Sequence, residues 1–348
     1  MDNLKCVLAR RPTGIPSPDT FRLVEEPVRE LADGEVLIEN QAFAIDPAIR
    51  GMLDDRESYL PPVPIGGVIP AMAVGRVVRS RNAAFKEGDY GRGFLGWERY
   101  SILNPGNIAM ENLRVDPRVP PTVYVGALGW SGLTAYIGLK KIGGLASGET
   151  VVMSAAAGAV GSVGCQIATL SGCRVVGIVG SDEKVQTVRR LGADAAINYK
   201  TAPDLAAAVR AACPDGVHLY FDNVGGRTLD VMLASMRDYG RIVVCGMIAN
   251  YNHQDDQYPI RNLWQVLVRR ITMRGFLAYE HADVLPEAEE ALTHWITSGR
   301  LAPLENVTTG LERAPAAFIR LMSGDTTGKT VVRVDDRVAC TPGALPGA

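Results

Sequence analysis

Val151-Val-Met-Ser-Ala155-Ala-Ala-Gly158-Ala-Val-Gly161-Ser-Val-Gly164 closes an apolar strand and opens a helix through a glycine-rich turn. The spacing suits a turn that admits a pyrophosphate. Glycine lacks the Cβ that would block the approach, and the helix behind it offers unpaired N–H groups and the positive end of its dipole. Taken alone such a run is weak evidence, because glycines also let a helix pack tightly on a strand. Its surroundings add the weight. Downstream, the pattern predicts strands over 173–179, 195–198, 217–222, 241–245 and 271–277. Between them it predicts helices over 158–171, 182–191, 205–212, 228–236 and 262–269, with an amphipathic helix over 285–298 after the last strand. Parallel strands need crossover connections, so this alternation predicts a doubly wound parallel sheet of the Rossmann kind. A glycine-rich turn inside a βαβ unit is then a dinucleotide site.

The end of the second strand separates the two nicotinamide cofactors. A carboxylate there would bind the ribose 2′-OH of NAD, but the chain has Val179-Gly180-Ser181. Lys184, one helical turn after Ser181, can aim an ammonium at a 2′-phosphate, and Tyr199 at the end of the third strand can add a hydroxyl. Lys184 beside Asp182 and Glu183 would otherwise read as an ordinary solvated lysine. Its place after a carboxylate-free strand end points to NADPH (NADP) as the cofactor.

The first third has a different texture. Short alternating or apolar segments at 35–39, 73–78 and 97–102 lie between turn clusters and predict a small β-rich domain, and the strand at 329–334 is expected to rejoin it. At 348 residues the chain suggests about two domains. Apolar residues at 47%, charged residues at 21% and a net charge of −2 describe a globular chain without the excess of Lys and Arg that a phosphate backbone requires, so no nucleic-acid partner is expected. The most apolar stretch, 151–170, is broken by three glycines and by Ser154, Ser162, Gln166 and Thr169, and the start of the chain is poor as a signal peptide. No membrane association and a cytoplasmic location are the expectation. The six cysteines, Cys6, Cys165, Cys173, Cys213, Cys245 and Cys340, are scattered, with no Cys-x-x-Cys pair. They read as small buried hydrophobes rather than redox groups.

Several motifs in order carry a resemblance: Ser154-Ala-Ala-Ala-Gly-Ala-Val-Gly-Ser162, Gly180-Ser-Asp-Glu-Lys184, Asp222-Asn-Val-Gly-Gly226, Ile248-Ala-Asn-Tyr-Asn252, Asp46-Pro-Ala-Ile-Arg-Gly51 and Gly328-Lys-Thr-Val-Val332. Over nearly its whole length the chain resembles the zinc-independent medium-chain dehydrogenases/reductases of the prostaglandin, alkenal and curcumin reductase branch. The resemblance implies a GroES-like catalytic domain over 1–127 and 300–338, a Rossmann domain over 128–299, a loose tail at 339–348 and a homodimer joined through the nucleotide domains. It implies that the cofactor meets Ala155, Gly158, Ala159, Val160 and Gly161, then Ser181, Lys184 and Tyr199, and further along Asn223, Gly225, Cys245, Gly246 and Tyr251. Backbone at Phe276 and Leu277 would orient the carboxamide, and Thr326 and Gly328 would add contacts from the late loop. Tyr251 and Tyr279 would serve the substrate side as the catalytic residues, in a cleft between the domains. Two departures stand out. Ala48 replaces the family's frequent Tyr, which reshapes the substrate pocket. Thr326 replaces an Asn, which removes an amide, leaves a hydroxyl and predicts somewhat weaker NADPH binding.

Zinc alcohol dehydrogenases of the same superfamily carry Cys and His ligands in the first domain, yet Asn40 to Gly91 contains neither type, and no metal is expected. The four histidines, His218, His253, His281 and His294, all fall in the nucleotide half. Without a Lewis acid, a plain carbonyl loses its main source of alkoxide stabilisation. Conjugate reduction is easier: hydride delivered to the β-carbon of an enal or enone makes an enolate whose oxygen can be held by hydrogen bonds. Tyr251, in the segment after the fifth strand, is the candidate donor, alone or with a cofactor ribose hydroxyl. A quinone reductase, a secondary-alcohol dehydrogenase and a catalytically silent NADPH-binding sensor are the competing expectations.

Overall fold

The computed structural model describes residues 1–56, 58–105, 110–252 and 256–335. Two compact units emerge, one from Met1–Gly126 with the described residues from Glu305 onward, the other from Ala127–Leu304. The tail expected at 339–348, His253 and Cys340 lie outside the described residues.

In the first unit a seven-stranded sheet runs in the order Glu305–Thr309, Lys329–Arg333, Val36–Ala44, Pro70–Ser80, Tyr90–Gly96 and Met110–Leu113, with Tyr100–Leu103 pairing onto Val36–Ala44. Asp2–Leu8 and Phe21–Pro27 form a separate antiparallel pair. Lys329–Arg333 lies antiparallel to Val36–Ala44, so the late strand enters the same sheet as the early ones. The aromatic core draws on both chain regions: Trp97 stacks on Phe21 at 5.7 Å and on Phe43 at 6.1 Å, and meets Phe318 edge-on at 5.8 Å. Trp97 is fully buried but precedes the strand, which begins at Tyr100 rather than at 97.

The second unit holds the parallel sheet. Its strands are β1 (Thr150–Ser154), β2 (Arg174–Val179), β3 (Ala195–Asn198), β4 (Val217–Asp222), β5 (Met236–Val244) and β6 (Thr272–Gly275), hydrogen-bonded in the order β3-β2-β1-β4-β5-β6. This is the Rossmann order, which reverses direction between β1 and β4 and opens a crevice at their carboxyl ends. All five residues of β1 are buried, as an uninterrupted apolar run requires in a sheet covered on both faces. Helices α1 (Ala159–Leu170), α2 (Asp182–Arg190), α3 (Leu205–Ala212) and α4 (Gly226–Ser235) form the crossovers. Val209, Leu229, Met232 and Leu233 from α3 and α4 pack on Val152, Val176, Tyr220 and Ile242 of the sheet.

After β5 come the short helices α5 (Ile248–Tyr251) and α6 (Trp264–Val268), and after β6 comes α7 (Leu285–Thr297). Two features of this unit lie beyond the sequence expectation. β5 starts five residues early, at Met236, and passes through Tyr239 in the left-handed region (φ 60°). A helix over Trp130–Ile137, continued by a π-turn at Gly138–Ile142, is buried on most of its surface and so offers no polar-apolar stripe to read. Among the described residues no helix is long and apolar enough to cross a membrane.

Candidate active site

The turn after β1 is built to leave backbone bare. Ala155 is left-handed (φ 47°), a conformation that costs a non-glycine residue about 1–2 kcal/mol. The glycines that follow divide the work. A Cβ on Gly161 would fall 2.3 Å from Ala155 O and 2.8 Å from Ala156 Cα, and one on Gly164 would fall 2.5 Å from Met153 Cε. Those two let α1 pack against the end of β1. A Cβ on Gly158 would meet only Ala155 O at 3.1 Å and Ala155 Cβ at 4.0 Å, so its other side is open. No side chain caps α1 at Gly158, and the N–H groups of Ala159, Val160 and Gly161 have no acceptor within the helix. An uncapped helix start behind a glycine with one open side fits a diphosphate.

A second group lies at the ends of β2 and β3. Ser181 is the N-cap of α2, its Oγ accepting the Lys184 N–H at 3.3 Å, which leaves the hydroxyl proton available. A Cβ built on Gly180 would lie 3.2 Å from Tyr199 Cε1, 3.4 Å from the Tyr199 hydroxyl and 3.5 Å from Lys200 Cε. Tyr199 and Lys200 therefore converge on Gly180. Lys200 was not among the sequence candidates, because a lysine after a tyrosine at a strand end carries no pattern of its own; only the fold turns it toward Gly180.

A third group joins the ends of β1, β4 and β5. Asp222 is fully buried, and its Oδ1 accepts from Ser154 Oγ at 3.1 Å, Tyr220 OH at 2.6 Å, Val224 N at 2.9 Å and Gly225 N at 3.0 Å. Burial pushes this carboxyl above the ordinary range, against the pull of those four donors. Ser154 Oγ also accepts the Asn223 N–H at 2.8 Å, and Asn223 Nδ2 donates to Ser154 O at 2.8 Å. The Asp222 carbonyl accepts from Cys245 N at 2.8 Å and Gly246 N at 3.1 Å. One buried acid thus pins the three strand ends around which Asn223, Gly225 (φ 69°), Cys245 and Gly246 are arranged. Its role was not legible from sequence, where Asp222 is only the last residue of a strand and the first of a motif that carries the resemblance.

Tyr251 belongs to this group. On α5 it reaches back so that a Cβ on Gly246 would lie 3.4 Å from its hydroxyl and 3.5 Å from Asn223 O. Burial raises its hydroxyl pKa, partly offset by a hydrogen bond from the Met247 backbone. The phenol is accordingly protonated at neutral pH and able to donate. Burial and the neighbouring Asp222 push the Cys245 thiol up to about 12, which leaves it without nucleophilic character at neutral pH.

Phe276 turns its ring inward, T-shaped on Phe221 at 6.5 Å, which leaves its backbone and that of Leu277 at the end of β6. Tyr279 is exposed on the 3-10 turn Ala278–Glu280 and has no hydrogen-bond partner among the described residues. Thr326 and Gly328 belong to the first unit, where Thr326 is buried and Gly328 is left-handed (φ 76°). Next to them Lys329, buried, pairs with Asp46 across the ladder between the late and early strands. Ala48 directly precedes the short helix Ile49–Met52 and makes no side-chain capping bond to it. Among the described residues no three His, Cys, Asp or Glu side chains are grouped to hold a metal.

Residues 5–110 match the family model described as the N-terminal domain of oxidoreductase, and residues 159–297 match the one described as zinc-binding dehydrogenase. The chain is 38% identical to the NADPH-dependent curcumin reductase of Escherichia coli over 95% of its own length and 97% of that protein's. It is 38% identical to the NADP(+)-dependent 2-alkenal reductase of Nicotiana tabacum, covering 96% and 98%. The crystal structure of CurA in complex with NADPH from Vibrio vulnificus superposes with a TM-score of 0.89 at 36% identity, over 95% of this chain and 99% of that one. The chain belongs to the medium-chain dehydrogenase/reductase family, in the branch of the curcumin, alkenal and prostaglandin reductases.

Proposed function

We propose that this NADP-dependent oxidoreductase reduces the α,β carbon–carbon double bond of an enal or enone, with Tyr251 as the residue that holds the enolate oxygen. The observation that carries the reading is the Tyr251 hydroxyl set beside Gly246 and Asn223 at the carboxyl edge of the sheet, next to the point where the strand order reverses. When bound, NADPH supplies the hydride. The chain's own residues do the rest. The bare turn at Gly158 and the start of α1 receive the diphosphate, while Ser181, Lys184, Tyr199 and Lys200 receive the 2′-phosphate. Asn223, Gly225, Cys245 and Gly246, held by Asp222, set the nicotinamide end, and backbone at Phe276 and Leu277 orients the carboxamide. The protonated Tyr251 phenol donates a hydrogen bond to the substrate oxygen as negative charge develops there. The absence of Cys and His between Asn40 and Gly91 supports a reaction without zinc, despite the zinc in the matched family's description. Thr326, Gly328 and Tyr279 complete the proposed set, the first two toward the cofactor and the third toward substrate.

The chain is proposed to act as a homodimer. β6 is the edge strand of the sheet and is exposed along all four residues, and beside it Trp264 (66% exposed) and Leu267 (64%) stand in solvent around a hollow also lined by Leu263, Val266 and Arg270. An unpaired strand edge with an apolar shoulder is suited to the same edge of a second copy.

The test is anaerobic mixing of the purified protein with NADPH and a panel of enals, enones and quinones, each product identified by mass and NMR. Saturated aldehydes or ketones support the proposal. Hydroquinones or allylic alcohols move the reaction to another class, and NADPH binding without turnover across the panel leaves a sensor.

A further inference from the structure

We propose that Asn198 sets the preference for NADPH by holding the Asp182 carboxylate away from the 2′-phosphate. The sequence poses the problem: the strand end carries no acid, but Asp182 follows Ser181 directly, where a mobile carboxylate would repel the phosphate that Ser181 and Lys184 receive. The structure contains a restraint. Asn198, the last residue of β3 and buried, donates from Nδ2 to Asp182 Oδ1 at 2.8 Å, while its Oδ1 accepts the Lys200 N–H at 3.1 Å. Tyr199 follows directly after β3, and the two side chains go to different partners. Tyr199 goes to Gly180, and Asn198 goes to the first residue of α2. Both bonds of the amide are used, and its two ends do separate jobs: one fixes the Asp182 side chain, the other turns the backbone that delivers Lys200.

The inference rests on the seat at Ser181, Lys184, Tyr199 and Lys200 proposed above. A carboxylate released to approach a nearly doubly charged phosphate by a few ångström, at this exposed position, weakens its binding about three- to fivefold. NADH has no phosphate there and is spared. The selectivity of binding is therefore the readout, not turnover.

Dissociation constants for NADPH and NADH, by fluorescence titration of the full chain, test the idea through a double-mutant cycle. Asn198→Ala is expected to lower the NADH-to-NADPH ratio of dissociation constants about fivefold, and Asp182→Asn added to it to restore most of that loss. Asp182→Asn alone, with the carboxylate already restrained, changes the ratio less than about twofold, and Glu183→Gln in the Asn198→Ala background restores nothing. Should Asn198→Ala fold poorly, Asn198→Ser keeps an acceptor for the Lys200 N–H but cannot reach Asp182, and it is expected to behave as the alanine does. An unchanged ratio in both Asn198 variants, or a loss in Asn198→Ser that Asp182→Asn does not recover, overturns the proposal. Lys184→Ala is the separate control: if it leaves the ratio untouched, the phosphate seat itself is wrong, whatever the cycle gives.

Discussion

Gly158 and Gly161 lie three residues apart in one turn, yet the structure gives them different duties, and alanine at each position separates the duties. At Gly161 the new methyl would lie 2.3 Å from Ala155 O and 2.8 Å from Ala156 Cα, both backbone atoms that cannot move without shifting the end of β1. Overpacking of this kind costs about 1–3 kcal/mol, and for a unit of this size each kcal/mol lowers the melting temperature by roughly 2–4 °C. Gly161→Ala is thus expected to melt about 2–12 °C lower without any cofactor present. At Gly158 the methyl meets only Ala155, its O at 3.1 Å and its Cβ at 4.0 Å, and φ of −84° suits alanine. The fold loses at most about 1 kcal/mol there, the difference between glycine and alanine at an N-cap. The methyl instead stands on the open side where the diphosphate is received, so NADPH affinity is expected to fall about tenfold or more, a loss of roughly 1.4 kcal/mol or more. Thermal melts of the apoprotein and NADPH titrations on both variants make the comparison. A Gly158→Ala protein that binds NADPH as the parent does, or a Gly161→Ala protein that melts as the parent does, would refute this division of labour.

Four further outcomes are expected. Tyr251→Phe keeps NADPH affinity within about twofold and loses about 10²-fold or more in turnover of an enone, the typical cost of removing one oxyanion donor; full turnover with unchanged affinity would remove the role. Leu267→Asp places a charge on the apolar shoulder beside β6 and is expected to yield monomers in analytical ultracentrifugation, and a dimer that persists would exclude this edge. The Arg29 guanidinium, at 2.6 and 2.8 Å from the two Glu35 oxygens, holds that carboxyl down at about 2 from an ordinary 4.5, helped by the Ala32 N–H. A lowered folded-state pKa contributes stability that is present above the ordinary value and is lost as pH falls through the folded one. The stability gap between the parent and Glu35→Gln should accordingly close between pH 4.5 and about 2, as followed by urea melts, and a gap independent of pH in that window would contradict the assignment. Finally, burial pushes the Cys6 and Cys165 thiols up to about 12, so neither is expected to react with an alkylating reagent at pH 8 until the protein is unfolded, as peptide mass mapping can report.

Much of the nucleotide domain was legible because its information is local. The run from Val151 to Gly164 names a buried strand, a glycine turn and a helix in one stretch, and the period of the residues that follow changes from strand to helix and back in an order that only a parallel sheet accommodates. The absence of an acid at Val179-Gly180-Ser181 is likewise local, and so is the absence of Cys and His from Asn40 to Gly91. The misses have physical causes too. The buried helix Trp130–Ile137 shows no stripe, and the early start of β5 follows from its pairing with β4, where the register shifts between Val217 and Leu219.

What the amino-acid order determined by itself is the alternation of strands and helices, the strand-to-helix turn and the residue types available around it, since each depends on neighbours a few positions away. What only the tertiary structure decided is which of those residues meet. Asp222 meets Ser154 from the neighbouring strand end, Tyr251 reaches back over Gly246 beside Asn223, and Asn198 at the end of β3 restrains Asp182 at the start of α2. These contacts join residues up to about 70 positions apart, as Ser154 and Asp222 are. Hydrogen bonds act over about 3 Å in space, and no period or spacing along the chain encodes that proximity until the sheet has brought its strand ends together.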